Sequence, residues 1–413
     1  MKKPVKRITI GELERLGAIV EIQDGNHGEL HPKSADYTEE GVPFIMANNF
    51  VGNVVDVANT HKLPDALAEQ LRIGFAVDGD VLLTHKGTIG NTAIVQGASP
   101  YWMLTPQVTY YRVDSEKLSN RYLMYAFQEP AFKATMKSRA DQATRPYIGI
   151  QAQRNLSIIY RPNDEQKRIV ELLTPYDDLL MCNQRRIELL ERSARLLFEE
   201  WFVRLRYPGH EHDQIVDGCP EGWSRQPLSK VVTINPRERV PKNNELWCVP
   251  MASLSESGML LDETYFERRT KHTTVKFRNG DTLFARITPC LENGKTGYVD
   301  FLGDGEVACG STEFIVMRGA AVPPEFTYCL ARQDYVRGRA IKSMIGSSGR
   351  QRVQESCFDD LLVSVPPQAL MSEFQDFSTG CFMQIKNLRQ QNQKLERARD
   401  LLLPRLMDGR IAV

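Results

Sequence analysis

Leu190-Glu191-Arg192, followed by Leu196-Leu197-Phe198, is repeated 205 residues further along the chain (190 to 395) as Leu395-Glu396-Arg397, followed by Leu401-Leu402-Leu403. Residues 79–84 resemble residues 280–285 at a slightly smaller offset of 201 (79 to 280). An offset that slips only where loops take up insertions indicates an internal duplication. The 205-residue offset also relates Leu156 to Leu361, Pro162 to Pro367, Thr174-Pro175 to Thr379-Gly380, and Arg145 to Arg350.

Each half of the chain combines a mixed region with a long helical segment. Short β-rich runs are separated by Gly, Pro and Asn turns, and residues 122–137 and 324–342 have helical composition. At 413 residues, the chain is also too long for one ordinary core. We therefore predict an α+β fold with two repeated domains and pseudo-twofold internal symmetry. The predicted segments are a first domain (1–161), a central helical spacer (162–206), a linker (207–220), a second domain (221–365) and a distal helical spacer (366–413); the β-rich runs are 80–84, 107–113, 281–286 and 312–317.

The helical segments carry an apolar seam. Ten positions from 169 to 201 alternate spacings of four and three, and nine of them are apolar or aromatic. The positions 205 residues later form a weaker copy, so we predict two long antiparallel helices in a coiled coil. A slip by one heptad is the alternative register. The predicted pairs are Leu180 with Leu395, Asn183 with Asn392, Ile187 with Leu388, and Leu190 with Ile385, and we also place Trp201 opposite Phe374.

Thr174-Pro175 predicts that the first long helix begins there, after a shorter helix, because threonine can cap a helix and proline suits its first position. From about residue 175 to 204 the rise would be roughly 45 Å. That length slightly exceeds one turn of B-DNA, about 34 to 36 Å. A hairpin that only dimerises the protein or spaces its domains would account for the seam equally well.

Charge and cysteine usage constrain the class of protein. Lys and Arg number 52 and so do Asp and Glu, which gives a formal net charge of zero. Basic residues nevertheless cluster at 133–161, with six against one acid, and at 318–352, with seven against two. Eight cysteines are scattered singly, which predicts reduced, buried thiols. Without a membrane-length apolar run or a signal peptide, we expect a cytoplasmic protein that does not enter a membrane.

Catalytic motifs are absent from the sequence. The nearest match to an adenine methyltransferase site, Asn235-Pro236-Arg237-Glu238, lacks the second proline and the aromatic residue. Phosphate-binding loops, dinucleotide fingerprints and nucleophile elbows are also missing. His27, His31, His61 and His85 have no metal partners visible in the sequence. We therefore expect a non-catalytic chain that binds neither a metal nor a cofactor of its own.

These pieces resemble, in their order, a specificity subunit (HsdS) of a type I restriction-modification enzyme. Residues 162–170 lead into the first long helix, Leu197 to Val203 close it, and Cys219-Pro220-Glu221-Gly222-Trp223 opens the second half. Residues 144–148, 21–25 and 42–45 also fit the pattern. The second half departs from it at Gln368 to Met371, where a Glu-Gln pair is typical. The similarity extends over the whole chain.

The resemblance implies two target-recognition domains that read the halves of a split double-stranded DNA sequence. It also implies two methylation (HsdM) subunits, which bind S-adenosylmethionine and dock on the helical region, and restriction (HsdR) subunits that use ATP and Mg²⁺. A specificity protein of a methylation-only system is the alternative within this class. Outside it, the alternative is a coiled-coil adaptor whose repeated domains bind proteins.

Candidate DNA contacts come from basic and polar side chains in turns after strands and in the basic clusters. Arg145 and Arg350 have the strongest support because they are repeat equivalents. For each candidate the alternative is a solvated surface group or a loop anchor. The candidates are Lys86, Thr88, Arg145 and Tyr147 in the first half, and Arg286, Lys295, Arg350 and Arg352 in the second.

Overall fold

A computed structural model describes residues 6–27, 30–140, 146–216, 218–240, 244–270, 274–347 and 349–413. The chain forms two compact units. The first consists of Met1–Cys182 with Gln391–Val413, and the second of Asn183–Gln390. Each unit therefore contains one globular domain together with part of both long helices, whereas the predicted segments assigned the helices to spacers of their own.

The first unit is built on a six-stranded sheet in the order β2-β11-β8-β9-β5-β4 and a four-stranded sheet in the order β6-β3-β10-β7. Strand β1 pairs separately with β12. The strands are β1 (Arg7–Thr9), β2 (Ile19–Asp24), β3 (Val42–Ile45), β4 (Phe50–Val51), β5 (Val54–Val55), β6 (His61–Leu63), β7 (Phe75–Ala76), β8 (Val81–Thr84), β9 (Thr92–Ile94), β10 (Trp102–Leu104), β11 (Val108–Val113) and β12 (Ser157–Ile159). The helices are α1 (Ile10–Arg15), α2 (Asp65–Ala68), α3 (Asn120–Gln128), α4 (Pro130–Ala140), α5 (Ile150–Arg154) and the first part of α6 (Asn163–Phe198).

The second unit repeats this plan with sheets in the orders β16-β23-β20-β21 and β18-β17-β22-β19. Strands β13 and β14 form a hairpin, and β15 pairs with β24. The strands are β13 (Ile215–Val216), β14 (Cys219–Pro220), β15 (Ser224–Pro227), β16 (Val232–Ile234), β17 (Leu246–Val249), β18 (Glu267–Arg269), β19 (Lys276–Phe277), β20 (Thr282–Ala285), β21 (Thr296–Tyr298), β22 (Ala308–Gly310), β23 (Phe314–Gly319) and β24 (Leu362–Val365). The helices are α7 (Leu228–Val231), α8 (Pro324–Ala331), α9 (Asp334–Lys342), the second part of α6 and the first part of α10 (Gln368–Met407).

The duplication is visible at the level of single side chains. In each domain an aspartate at the start of the central strand, Asp80 before β8 and Asp281 before β20, binds an arginine of the adjacent strand. Each aspartate also accepts a hydrogen bond from the amide three residues earlier, at 2.8 Å in both cases. The residue before each aspartate is a glycine with φ near +90°, which only glycine adopts without strain. The predicted duplicated α+β fold is therefore confirmed, including the four predicted β-rich runs.

The predicted start of the first long helix at Thr174-Pro175, after a shorter helix, is wrong. Helix α6 is continuous across Thr174-Pro175, and α10 is continuous across Thr379-Gly380. Ile169 and Leu173, on the turns before Pro175, are fully buried in the core of the first unit. Burial of that face holds the turn in place even though a proline lacks the amide hydrogen needed for the helical bond. Helix α6 ends in a π-helical turn, Glu199–Val203.

Within the first unit, α6 and α10 run antiparallel. Arg161 Nε donates to the main-chain oxygen of Met407 (3.1 Å), and Asp177 forms an ion pair with Arg399 (3.0 Å). The Asp177–Arg399 pair lies within one residue of the alignment that the seam predicts. The long helices close the core of the domain here, because Leu403, Leu406 and Met407 are buried with Ile169 and Leu173.

Within the second unit, the two helices meet through aromatic rings. Phe198 and Phe202 lie 6.0 and 5.0 Å from Phe374 between ring centroids. The predicted neighbour of Phe374 is Trp201, but that side chain is only partly buried and packs at the edge of this core. The shift begins before the π-helical turn, since Phe198 is buried whereas Leu197, at a seam position, is only partly buried.

All eight cysteines are free thiols, and six of them are buried. Cys182 is exposed and Cys290 is half-buried, so the prediction of buried thiols is wrong for these two. Cys182 lies on a long helix whose apolar seam leaves more than half of its circumference to solvent. Its position on that outer face explains the exposure.

Candidate nucleic-acid interface

In the first domain, the turn after β8 lies beside the segment that precedes α5. Lys86 and Tyr147 form an isolated antiparallel bridge, and the Ile148 amide donates to the His85 oxygen (3.1 Å). Lys86 and Thr88 are exposed, and Tyr147 is 47% exposed. The structure therefore brings three predicted candidates onto one surface. Arg145, the fourth, lies outside the described residues.

The second domain contains the same main-chain arrangement. Ile287 pairs with Arg352, and the Val353 amide donates to the Arg286 oxygen (2.9 Å). Lys295 is next to this turn because its main-chain oxygen accepts a hydrogen bond from the Ala285 amide (3.1 Å). The four candidates of this half, Arg286, Lys295, Arg350 and Arg352, thus lie on or beside one pair of segments.

The candidate side chains differ in how strongly the protein itself holds them. Arg286 forms an ion pair with Glu355 (2.9 Å), and Arg352 donates to both carboxylate oxygens of Glu313. The Arg352 hydrogen bonds lower the pKa of Glu313 below its ordinary value. Among the described residues, Lys295 Nζ reaches a single acceptor, the main-chain oxygen of Met251, at 3.4 Å. Arg286 and Arg352 therefore have the contacts expected of loop anchors.

Lys86 and Arg350 are the clearest available cations. Both are exposed, and within the described part of the chain neither side chain makes a hydrogen bond or an ion pair. Their ammonium and guanidinium groups can meet a phosphate without first breaking an internal contact. The turn glycines Gly87 and Gly349, at φ +76° in both cases, leave open space beside these residues.

Most other members of the two basic clusters serve the fold. Arg154 binds Glu14 through two nitrogens, at 2.7 and 2.8 Å, and Arg318 binds Asp281 in the same manner. Arg332 is buried and donates to the main-chain oxygens of Glu256, Gly294 and Thr296. The count of basic residues therefore overstated the charge available to a ligand.

A buried anchor connects the second domain to the long helix. Tyr328 donates to the Glu191 carboxylate (2.6 Å), which also accepts from the Met259 amide (2.8 Å). Arg332 Nε donates to the same tyrosine oxygen (2.9 Å), so this chain of contacts links α6 to the turn that ends at Lys295. The candidate interface is thereby fixed to a rigid element rather than left on a free loop.

Under the first-domain turn lies a polar network that the sequence analysis missed. His85 is 1% exposed, its Nδ1 lies 3.0 Å from the Ile148 oxygen, and its Nε2 lies 3.7 Å from Asp24 Oδ1. Thr109 donates to the same Asp24 oxygen. Asp24 ends β2, Thr109 belongs to β11, and His85 follows β8. Asp24 and His85 are 61 residues apart (24 to 85), so spacing along the chain carried no signal for them.

Comparison with known proteins agrees with this geometry. A family model described as the type I restriction modification DNA specificity domain matches residues 12–192. The type I restriction enzyme MjaIX specificity subunit of Methanocaldococcus jannaschii is 23% identical over 355 residues, which cover 81% of this chain and 78% of that protein. The chain is therefore similar to type I restriction-modification specificity subunits.

Two further similarities extend the comparison. The EcoEI specificity subunit of Escherichia coli is 34% identical over 157 residues, which cover 36% of this chain and 26% of that protein. The S subunit of a type I restriction-modification system from M. genitalium has the same fold, with a TM-score of 0.52 at 13% identity. The match covers 98% of this chain and 97% of that chain. The family model covers the first domain, and the structural repeat extends the likeness to the second.

The predicted seam residues are unequally buried. Asn183, Ile187, Ile385 and Leu388 are buried, whereas Leu180, Leu190, Asn392 and Leu395 are half-buried. The Asn183–Asn392 pairing joins residues of different compact units and stays a prediction. Among the described residues, no group of three His, Cys, Asp or Glu side chains could hold a metal ion, and no helix is long and apolar enough to cross a membrane.

Proposed function

We propose that this chain is the DNA sequence-specificity subunit of a type I restriction-modification complex. Each globular domain reads one half of a split duplex target, and the long helices link the two readers. The single observation that carries the proposal is the repeated pair of segments, which presents exposed Lys86 and Tyr147 in one domain and Arg350 in the other. A bipartite DNA target requires two copies of one recognition surface.

The chain supplies recognition, and other subunits supply the chemistry. Two methylation subunits that bind S-adenosylmethionine would modify adenine, and restriction subunits would use ATP and Mg²⁺ to move along DNA and cut it. This specificity subunit binds none of these cofactors itself. A system with methylation subunits alone would use the same recognition chain.

The helical region is the proposed docking site for the methylation subunits. Helix α6 exposes Leu172 and Leu179 in the first unit, and Leu189 and Leu196 in the second. Within each unit these leucines are seven residues apart and therefore lie on one face of the helix. Exposed leucines at heptad spacing offer an apolar stripe to a partner helix.

The deciding experiment maps methylated adenines in DNA from cells that carry this chain with its methylation subunits. A split recognition sequence is the expected result. Unmethylated DNA, together with the absence of salt-sensitive duplex binding by the purified complex, would favour the protein-binding adaptor instead.

Binding measurements test the two cations directly. Replacing Lys86 or Arg350 with alanine should weaken duplex binding and reduce the slope of log K against log salt by about one. Loss of a bidentate base contact at Arg350 would cost about 1 to 3 kcal/mol. Lys33→Ala, which removes an exposed lysine of the first domain outside the paired segments, is the charge-matched control. An unchanged salt slope would remove the tested residue from the interface.

A further inference from the structure

In each domain one residue, His85 or Arg286, makes two contacts with the segment that carries candidate DNA contacts. We call this pair of contacts a clamp. The main-chain oxygens of His85 and Arg286 accept from the Ile148 and Val353 amides, at 3.1 and 2.9 Å. The side chains of the same two residues then return to the carbonyl oxygens of Ile148 and Val353, at 3.0 Å in both domains. Each clamped residue is therefore held on its amide and on its carbonyl by a single partner.

The first-domain clamp is buried. Because a carbonyl oxygen can only accept, His85 Nδ1 must carry the hydrogen in this contact. Gln153 Nε2 donates to the same oxygen (2.8 Å), and the other ring nitrogen of His85 faces the Asp24 carboxylate. The imidazole also lies under the half-exposed ring of Tyr147, with 5.4 Å between centroids.

The second-domain clamp achieves the same geometry with different chemistry. Arg286 adds an ion pair to Glu355 at the rim of the domain. In the first domain Gln153 is the second donor to the clamped carbonyl oxygen. The equivalent position of the second domain, 205 residues later, is Phe358, which is fully buried. Two unlike side-chain environments thus preserve one main-chain contact, which indicates that the position of the clamped segment matters to both domains.

We propose that His85 and Arg286 are positioning residues that set the sequence preference of their own half-sites. Each fixes a residue close to an exposed candidate contact: Ile148 follows directly after Tyr147, and Val353 lies three residues after Arg350. A segment held in one conformation presents its side chains to base edges at a lower entropic cost. The inference rests on the proposed function and names the residues that align each reader.

The test uses the full chain with its methylation subunits and a library of randomised duplexes, from which the bound target is selected. Affinity is then measured for that target and for duplexes altered in one half at a time. In His85→Ala, discrimination at one half-site should fall about tenfold while the other half keeps its preference. Arg286→Ala should show the reverse pattern. His61→Ala, which removes an imidazole of the first domain outside the clamp, should change neither.

Conservative variants separate positioning from folding. His85→Gln retains an N–H donor and should recover much of the discrimination that His85→Ala loses, and Arg286→Lys should do the same for the second half. These two variants decide the matter if the alanine variants do not fold. Equal losses at both half-sites, or full discrimination in every variant, would overturn the inference. A wild-type complex that selects no split sequence would instead refute the proposed function.

Discussion

The guanidinium of Arg112 donates to both carboxylate oxygens of Asp80, at 3.0 and 2.8 Å. Asp80 is only 1% exposed, and burial raises the pKa of its carboxyl although Arg112 opposes this. The pair joins the two central strands of the first domain. Its counterpart in the second domain, Asp281 with Arg318, shows that both domains depend on one buried ion pair.

Arg112→Ala should therefore destabilise the first domain by about 3 kcal/mol, because it leaves the Asp80 carboxylate buried without its partner. Hydrogen exchange of the β8 and β11 amides measures the effect locally. The double variant Asp80→Asn with Arg112→Ala is the control and should cost less, since no buried unpaired charge remains; Glu21, which also pairs with Arg112, is 40% exposed. Equal costs for the single and double variants would contradict this explanation.

The Glu14–Arg154 pair makes stability depend on pH. Hydrogen bonds from Arg154 lower the pKa of Glu14 below its ordinary value of 4.5. A lowered folded-state pKa means that the stabilisation is complete above pH 4.5 and is lost as pH falls through the folded value. The difference in unfolding free energy between wild type and Glu14→Gln, about 1 kcal/mol or less at pH 7, should shrink toward zero in acid. A difference that stays constant from pH 7 to 3 would contradict the assignment.

Pro175→Ala should stabilise the first unit. The proline lies exposed within a continuous helix, where alanine is favoured by up to about 3 kcal/mol. We expect a gain of about 1 to 3 kcal/mol in urea unfolding. Pro130→Ala is the matched control, because Pro130 is the first residue of α4, a position that tolerates proline well. A similar gain at both sites would mean that the helix interior is not the cause.

Leu189→Glu with Leu196→Glu should weaken binding of the methylation subunits at least tenfold while leaving the fold intact, because both side chains are 45% exposed. Co-purification and titration with the methylation subunit measure the loss. Leu30→Glu, an exposed leucine outside the helices, is the control. Unimpaired assembly of the double variant would exclude this face as the docking site.

Local patterns in the sequence were sufficient for the architecture. The 205-residue repeat predicted two matching domains, and the seam predicted the helices, because both signals can be read from the order of residue types along the chain. The continuity of α6 was not predictable, since burial of Leu173 outweighs the local effect of Pro175. The roles of the clamp residues were equally unpredictable from the sequence. His85 acquires its role from Asp24 and Ile148, which come close to it only in the folded protein. The basic clusters could not be divided into loop anchors and free cations until the carboxylates that bind the arginines were located.

Leu403, Leu406 and Met407 complete the core of the first domain. Nearly all other residues of that domain precede residue 183 and are therefore synthesised much earlier. On a translating ribosome, the first domain therefore cannot finish folding when its own strands emerge. It must wait for more than two hundred further residues, and during that interval Ile169 and Leu173 lack Leu403, Leu406 and Met407 as packing partners. The nascent chain carries an unfinished apolar surface for most of its synthesis, and we expect chaperones to engage it there.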